Sequence, residues 1–106
     1  MAAIDVYSLS NSQIQRYIRD AAKDSSRVVF TTHVEQRMSQ RRITNTQVMQ
    51  CLQKGNLNGT PEPNAAKGSL ECDMRHFCAG HNIKVVVAIS NDYPDLILVT
   101  VMVVNR

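Results

Sequence analysis

The sequence predicts an α+β domain in which N-terminal helices pack on one face of a twisted antiparallel sheet of about four strands. Three observations predict it. Apolar residues recur at helical spacing between residues 10 and 54. They switch to period two from Leu70 onward. The strand-like segments of the last third are separated by turns too short for the crossover that parallel neighbours need.

Taken in order, the first helix begins at Ser10 or Asn11, whose short side chain accepts an otherwise orphaned backbone N–H. Ile14, Tyr17, Ile18 and Ala21 form its apolar stripe, with Arg16, Arg19, Asp20 and Lys23 opposite. Arg27-Val-Val-Phe30 is β-branched and aromatic, and reads as a short strand. Thr32-His-Val-Glu35 fits a capping box at the head of a helix from His33 to about Arg41. Thr44-Asn-Thr-Gln47 is a second box, opening a helix that ends at Lys54 with Gly55 as its left-handed cap. Residues 55–68 hold three glycines and two prolines. They read as a short strand around Leu57–Thr60 followed by an exposed loop.

From Leu70 to Cys78, apolar and polar residues alternate. Residues 79–82 form a turn. Ile83–Ile89 is a nearly continuous apolar run, as in a central strand buried on both faces. Residues 91–94 form a second turn, and Leu96–Val104 is the last strand. Residues 1–26 read as an N-terminal helical extension and residues 27–106 as the domain proper.

Composition narrows the function classes. The chain has 106 residues, 43% hydrophobic and 20% charged, which suits one ordinary globular domain and excludes a disordered or collagen-like chain. No apolar run approaches the ~20 residues of a membrane span. Met1-Ala-Ala-Ile-Asp5 lacks the basic and apolar regions of an export signal. Three cysteines cannot all pair with one another, so reduced thiols and a cytoplasmic location are expected. The net charge is +3. All of the excess lies in residues 27–55, where Arg27, Arg37, Arg41, Arg42 and Lys54 outweigh Glu35. This segment either faces an anionic partner or is a solvated helix surface.

Within it, His33, Arg37 and Arg41 stand at i, i+4 and i+8. A helix places them along one edge beside the inward-facing Val34 and Met38. Guanidinium forks match phosphate oxygens two at a time, and an imidazole can give or take a proton near neutral pH. The competing reading is structural: the arginines pair with Glu35, Glu71 or Asp73 and lock helix to sheet. Arg75 lies mid-strand, and Lys84 lies across the hairpin from it. The two form either an anion-facing patch or surface ion pairs with Asp73 and Glu71. Cys72, His76, Cys78 and His81 lack the spacing of a tetrahedral metal site. Cys51 sits on the core face of its helix and is a poor nucleophile candidate.

The stretch from Thr32 to Gly55 resembles a bacterial family, the domain of unknown function 4258. Its pattern is roughly H-x3-R-M-x2-R-G-I-[ST]-x3-V…G. His33, Arg37, Met38, Arg41, Ile43, Thr44, Val48 and Gly55 match. Arg42 stands where the pattern has glycine, at a corner where glycine's tolerance of positive φ is useful. The tail ending Leu98-Val-Thr-Val101 also suits the family, so the resemblance spans about residues 28–104.

That family is grouped with the RelE/ParE-like toxins, small α+β domains of which many cleave RNA without metal and others poison gyrase. The resemblance thus implies a metal-independent endoribonuclease that needs no cofactor. His33 would be acid or base, with Arg37, Arg41 and Arg75 as the phosphate clamp. Arg42 and Lys84 would add binding contacts. RNA or the ribosome would be the target, and an antitoxin-like protein a partner. In the superfamily the ribonuclease residues usually come from the sheet and the C-terminal region, whereas this motif lies on a helix. The alternative is a non-catalytic module that uses the same basic edge to hold nucleic acid or a protein.

Overall fold

A computed structural model describes residues 5–64, 66–78, 80–91 and 96–104. The protein is α+β, with three helices on one face of a mixed six-stranded sheet. The helices are α1 (Asn11–Ala21), α2 (Thr32–Arg41) and α3 (Asn45–Lys54). The strands are β1 (Val28–Val29), β2 (Asn56–Leu57), β3 (Glu62–Asn64), β4 (Ser69–Cys78), β5 (His81–Ser90) and β6 (Leu96–Val104). The lateral order is β1-β6-β5-β4-β2, with β3 also pairing to β4.

The expected meander is present: β4–β5 and β5–β6 are antiparallel along nearly their whole length. Two features correct the expectation of about four antiparallel strands. β1 runs parallel to β6, because two helices and the rest of the sheet intervene before the chain returns beside it. The stretch read as a loop supplies β3, which contains Pro63. A proline lacks the N–H for a second partner, so β3 is confined to the outside of β4.

Each helix starts on a side-chain cap. Ser10 and Gln13 form a reciprocal box on α1, and Thr44 and Gln47 form one on α3. On α2 the cap is Thr31 rather than Thr32, and the Thr32–Glu35 box does not form. Thr31 Oγ1 accepts from Val34 N (3.2 Å) and donates to the Leu98 carbonyl (3.2 Å), so a long-range bond to β6 decides between adjacent threonines. The end of α3 also differs from expectation. Gly55 has φ −75°, ψ 177°, which is extended rather than left-handed. Glycine is needed there for space: a Cβ would collide with the Cys51 carbonyl oxygen and lie 2.7 Å from that of Arg75.

The left-handed residue is Arg42, φ 55°, ψ 42°, which turns the chain from α2 into α3. Its N–H satisfies the last carbonyls of α2 at Met38 and Ser39. A side chain in this conformation costs roughly 1–2 kcal/mol. Arg42→Gly is therefore expected to stabilise the fold by about 1 kcal/mol, the glycine's own entropic cost offsetting part of the relief. Urea denaturation of the two proteins checks this.

The core lies between the helices and one face of the sheet. Ile18, Val34, Val48, Leu52, Met74, Val85, Val87 and Leu98 are fully buried there. β5 is central, but it is not sealed on both faces. Its helix-facing side chains are buried, while Lys84 and Val86 on the other face are only half-buried. A bulge near Val86–Val87 lets both Val99 and Thr100 face outward and restores the inward phase at Val101. Helix α1 contributes Ile14, Ile18 and Ala21 to the same core as the rest. Arg19 also ties α1 to the α3–β2 corner through the carbonyl of Gly55 (2.9 Å). Among the described residues no helix is long and apolar enough to cross a membrane.

All three cysteines are free. Cys51 donates to the Met74 carbonyl (3.2 Å) and so stitches α3 to β4. Burial pushes the Cys51 and Cys72 thiols up to about 12, from an ordinary 9.0. An unfolded chain ionises both thiols above pH 9, whereas the folded chain holds them neutral until about pH 12. Stability is therefore expected to fall with rising pH in that window, by up to ~1.4 kcal/mol per pH unit per thiol. Urea melts at pH 8 and about pH 10.5, with Cys72→Val removing its share of the slope, test this.

Candidate nucleic-acid interface

Helix α2 lies over β6 and buries Val34 and Met38. Residues four apart on a helix drift by about 40°. The row His33–Arg37–Arg41 therefore rotates progressively towards the sheet. His33 is exposed, while Arg37 and Arg41 are half-buried. Arg37 Nη1 donates to Gln40 Oε1 (3.1 Å). Arg41 Nη1 donates to the Val101 carbonyl oxygen (2.7 Å). β1 pairs with β6 only at Leu96 and Ile97, so the carbonyls of Leu98 and Val101 lie on an open edge. Thr31 and Arg41 cover that edge with side-chain donors.

The bond to Val101 orients the Arg41 guanidinium without neutralising it. Among the described residues no carboxylate forms an ion pair with His33, Arg37, Arg41 or Arg42. Glu35 lies two residues from His33 and two from Arg37, which on a helix turns it away from their edge. Arg42 is exposed at the corner just past Arg41. Helix α2 and its corner thus carry three guanidiniums and an imidazole with no acidic partner among the described residues. The expectation that Arg37 and Arg41 lock helix to sheet through carboxylates is not what the side chains do.

Arg75 and Lys84 are placed differently. They face each other across the β4–β5 ladder, as the hairpin reading required. Met74 is buried under the helices. Strand alternation then puts Arg75 on the opposite face of the sheet, away from α2. Arg75 makes a two-pronged contact with Asp73 (3.2 and 3.1 Å). Lys84 approaches the same carboxylate at 3.7 Å. Helix spacing sets His33, Arg37 and Arg41 along one edge of α2 with Arg42 at the corner beyond it, and the sheet carries Arg75 and Lys84 on its other face. The alternation that placed Met74 inward was the signal for this separation. The roles of Thr31 and Arg19, both bonded to distant carbonyls, had no local signature.

The potential metal and nucleophile residues are also accounted for. Cys72 is buried in the core. Cys78 Sγ donates to Gln50 Oε1 (3.0 Å). Among the described residues no group of three or more His, Cys, Asp or Glu side chains is placed to hold a metal ion.

Chemically, arginines that meet no carboxylate among the described residues have donors to offer an anionic oxygen. Guanidinium forks match phosphate oxygens two at a time, and His33 is exposed on the same helix. No curated protein and no solved structure matches the chain. One family model does, that of the Domain of unknown function (DUF4258), over residues 30–103. The match takes in β1's last neighbour Phe30, both helices of the basic edge and nearly all of the sheet, and so the chain belongs to the DUF4258 family.

Proposed function

We propose that this chain is a RelE/ParE-like domain of the cytoplasm that binds the phosphate backbone of single-stranded RNA along the edge formed by His33, Arg37, Arg41 and Arg42. One contrast carries the reading. Arg75 and Lys84 share the Asp73 carboxylate, whereas the cations of α2 meet no carboxylate among the described residues. Like charges one turn apart repel, and an anion between them relieves that repulsion. Arg41 is held by a neutral carbonyl, which leaves its other N–H donors for phosphate.

The exposure of His33 beside Arg37 favours a second reading, metal-independent cleavage. A ribose 2′-hydroxyl would attack the adjacent phosphorus as His33 takes its proton. The 5′-oxygen of the next nucleotide would leave with a proton from the imidazolium or water. The products are a 2′,3′-cyclic phosphate and a 5′-hydroxyl, and Arg37 and Arg41 would stabilise the charge of the phosphorane. With Arg75 on the other face, the clamp consists of the α2 arginines alone. An antitoxin-like protein would compete for the same edge.

Incubation with labelled single-stranded RNA in EDTA separates the readings. Retention at low salt is the expected result, and no retention contradicts the proposal. Cleavage in EDTA that His33→Ala abolishes, with retention preserved, adds the catalytic role. RNA that stays intact while bound restricts the domain to binding.

A further inference from the structure

We infer that the groove between the α3–β2 corner and the far end of β4 is a nucleotide subsite, with Phe77 as its stacking platform. The groove measures about 510 Å³, within the roughly 300–1,000 Å³ of small-molecule clefts. Lys54, Asn56, Asn58, Arg75, Phe77 and Asn82 are among its lining residues. No carboxylate is among its lining residues.

Phe77 is the feature that folding does not explain. The residue is 64% exposed, on the sheet face where β4 otherwise carries Glu71, Asp73 and Arg75. β2 pairs with β4 only at Met74 and Arg75, so among the described residues the β2-side edge of the strand is unpaired beyond them, while β5 continues on the other side. An aromatic ring sharing a groove with an unpaired cation suits single-stranded nucleic acid: bases stack on the ring and phosphates meet the charge. Lys54 engages no carboxylate among the described residues, whereas Arg75, on the ring's own face, is paired with Asp73.

The amides around the ring are oriented to read a base edge. Arg19 can only donate, so its 2.9 Å contact takes the oxygen of Asn56 and turns that residue's NH2 outward. Asp73 accepts from Asn58 (3.3 Å), which leaves the Asn58 oxygen as a free acceptor. Asn82 contributes a further amide from β5. A donor and an acceptor fixed by separate neighbours suit the mixed edge of a nucleobase.

The groove lies on the far side of β5 from the β6 edge over which α2 packs. Phe77 is level with Asn82 and Val104, and Arg41 is bonded to Val101 on the same strand β6. β4 is two strands from β6, or about 10 Å in the pairing direction. The choice of RNA as the polymer rests on the proposed function, but the groove is tested through its own residue.

The chain has no tryptophan, so Phe77→Trp installs a single reporter on an exposed site. The probe is an oligouridylate of about a dozen nucleotides, added to the full chain at low salt. Quenching of the tryptophan emission on saturation, and about tenfold weaker binding by Phe77→Ala at an unchanged melting temperature, are the expected results. Wild-type affinity in Phe77→Ala, or unaltered emission in Phe77→Trp, overturns the subsite. If Phe77→Ala weakens binding and Arg37→Gln does not, the groove stands and the α2 reading falls. The reverse pattern leaves α2 standing and removes the groove. Absence of any wild-type binding to the oligouridylate removes both.

Discussion

Gly55→Ala is expected to destabilise the protein by about 3 kcal/mol, the upper range for overpacking a filled site. The backbone at Gly55 is extended, so its conformation suits any residue, and the cost comes from space alone. The added methyl group meets two carbonyl oxygens, those of Cys51 in α3 and Arg75 in β4. Both belong to regular backbone and cannot swing aside as a flexible side chain would. Moving the corner instead strains the Gly55 N–H bond to Cys51 (2.9 Å) and the Asn56–Arg75 pairing. It also strains the bond from Arg19 that holds α1. Gly59→Ala is the control. Gly59 has φ +73° with nothing within 4 Å of its missing Cβ, so only the roughly 1–2 kcal/mol of a left-handed side chain applies. Urea denaturation of both variants decides the matter, and a smaller loss at Gly55 than at Gly59 contradicts the packing account.

Arg37→Gln is expected to weaken binding of single-stranded RNA by about tenfold at low salt, the cost of one charge-assisted contact to phosphate. It should leave stability within about 0.5 kcal/mol, since its described bond is to the exposed Gln40. Arg41 is the poorer choice for this test. Removing it also strips the donor from the Val101 carbonyl, so lost binding and lost stability would arrive together. Fluorescence polarisation with a labelled strand, alongside a thermal melt, separates the two effects at Arg37. A variant that binds as wild type places the phosphate contacts elsewhere.

Much of this fold is written locally. Helical spacing of Ile14, Ile18 and Ala21, and of Val48, Cys51 and Leu52, marks faces that are indeed buried. Period-two spacing of Leu70, Cys72 and Met74 marks the inward side of β4. What could not be read was settled by distant backbone. Thr31 and Thr32 are equivalent to a capping rule, and the Leu98 carbonyl chooses between them. Gly55 marks the end of α3 correctly, but whether it supplies φ or space depends on how close β4 comes. Arg42 shows the opposite case: the family pattern anticipates glycine at the corner, and the backbone there is left-handed although an arginine occupies it.

The site was legible in part for the same reason. Spacing by four aligns His33, Arg37 and Arg41, and helix geometry alone predicts the drift that turns Arg41 towards the sheet. Its acceptor on β6 lies sixty residues away in sequence. The resemblance sets Arg75 beside the α2 arginines as part of a phosphate clamp. Strand alternation, already visible in Met74 and Phe77, places it on the other face beside Asp73.

The most direct measurement is the affinity of the unmodified protein for a short single-stranded RNA across a range of salt concentrations. Engagement of phosphates by Arg37, Arg41 and Arg42 predicts a straight log–log plot with a slope near −2, from about 0.7 counterion per contact on a single strand. A flat plot, or no binding at the lowest salt, contradicts the account.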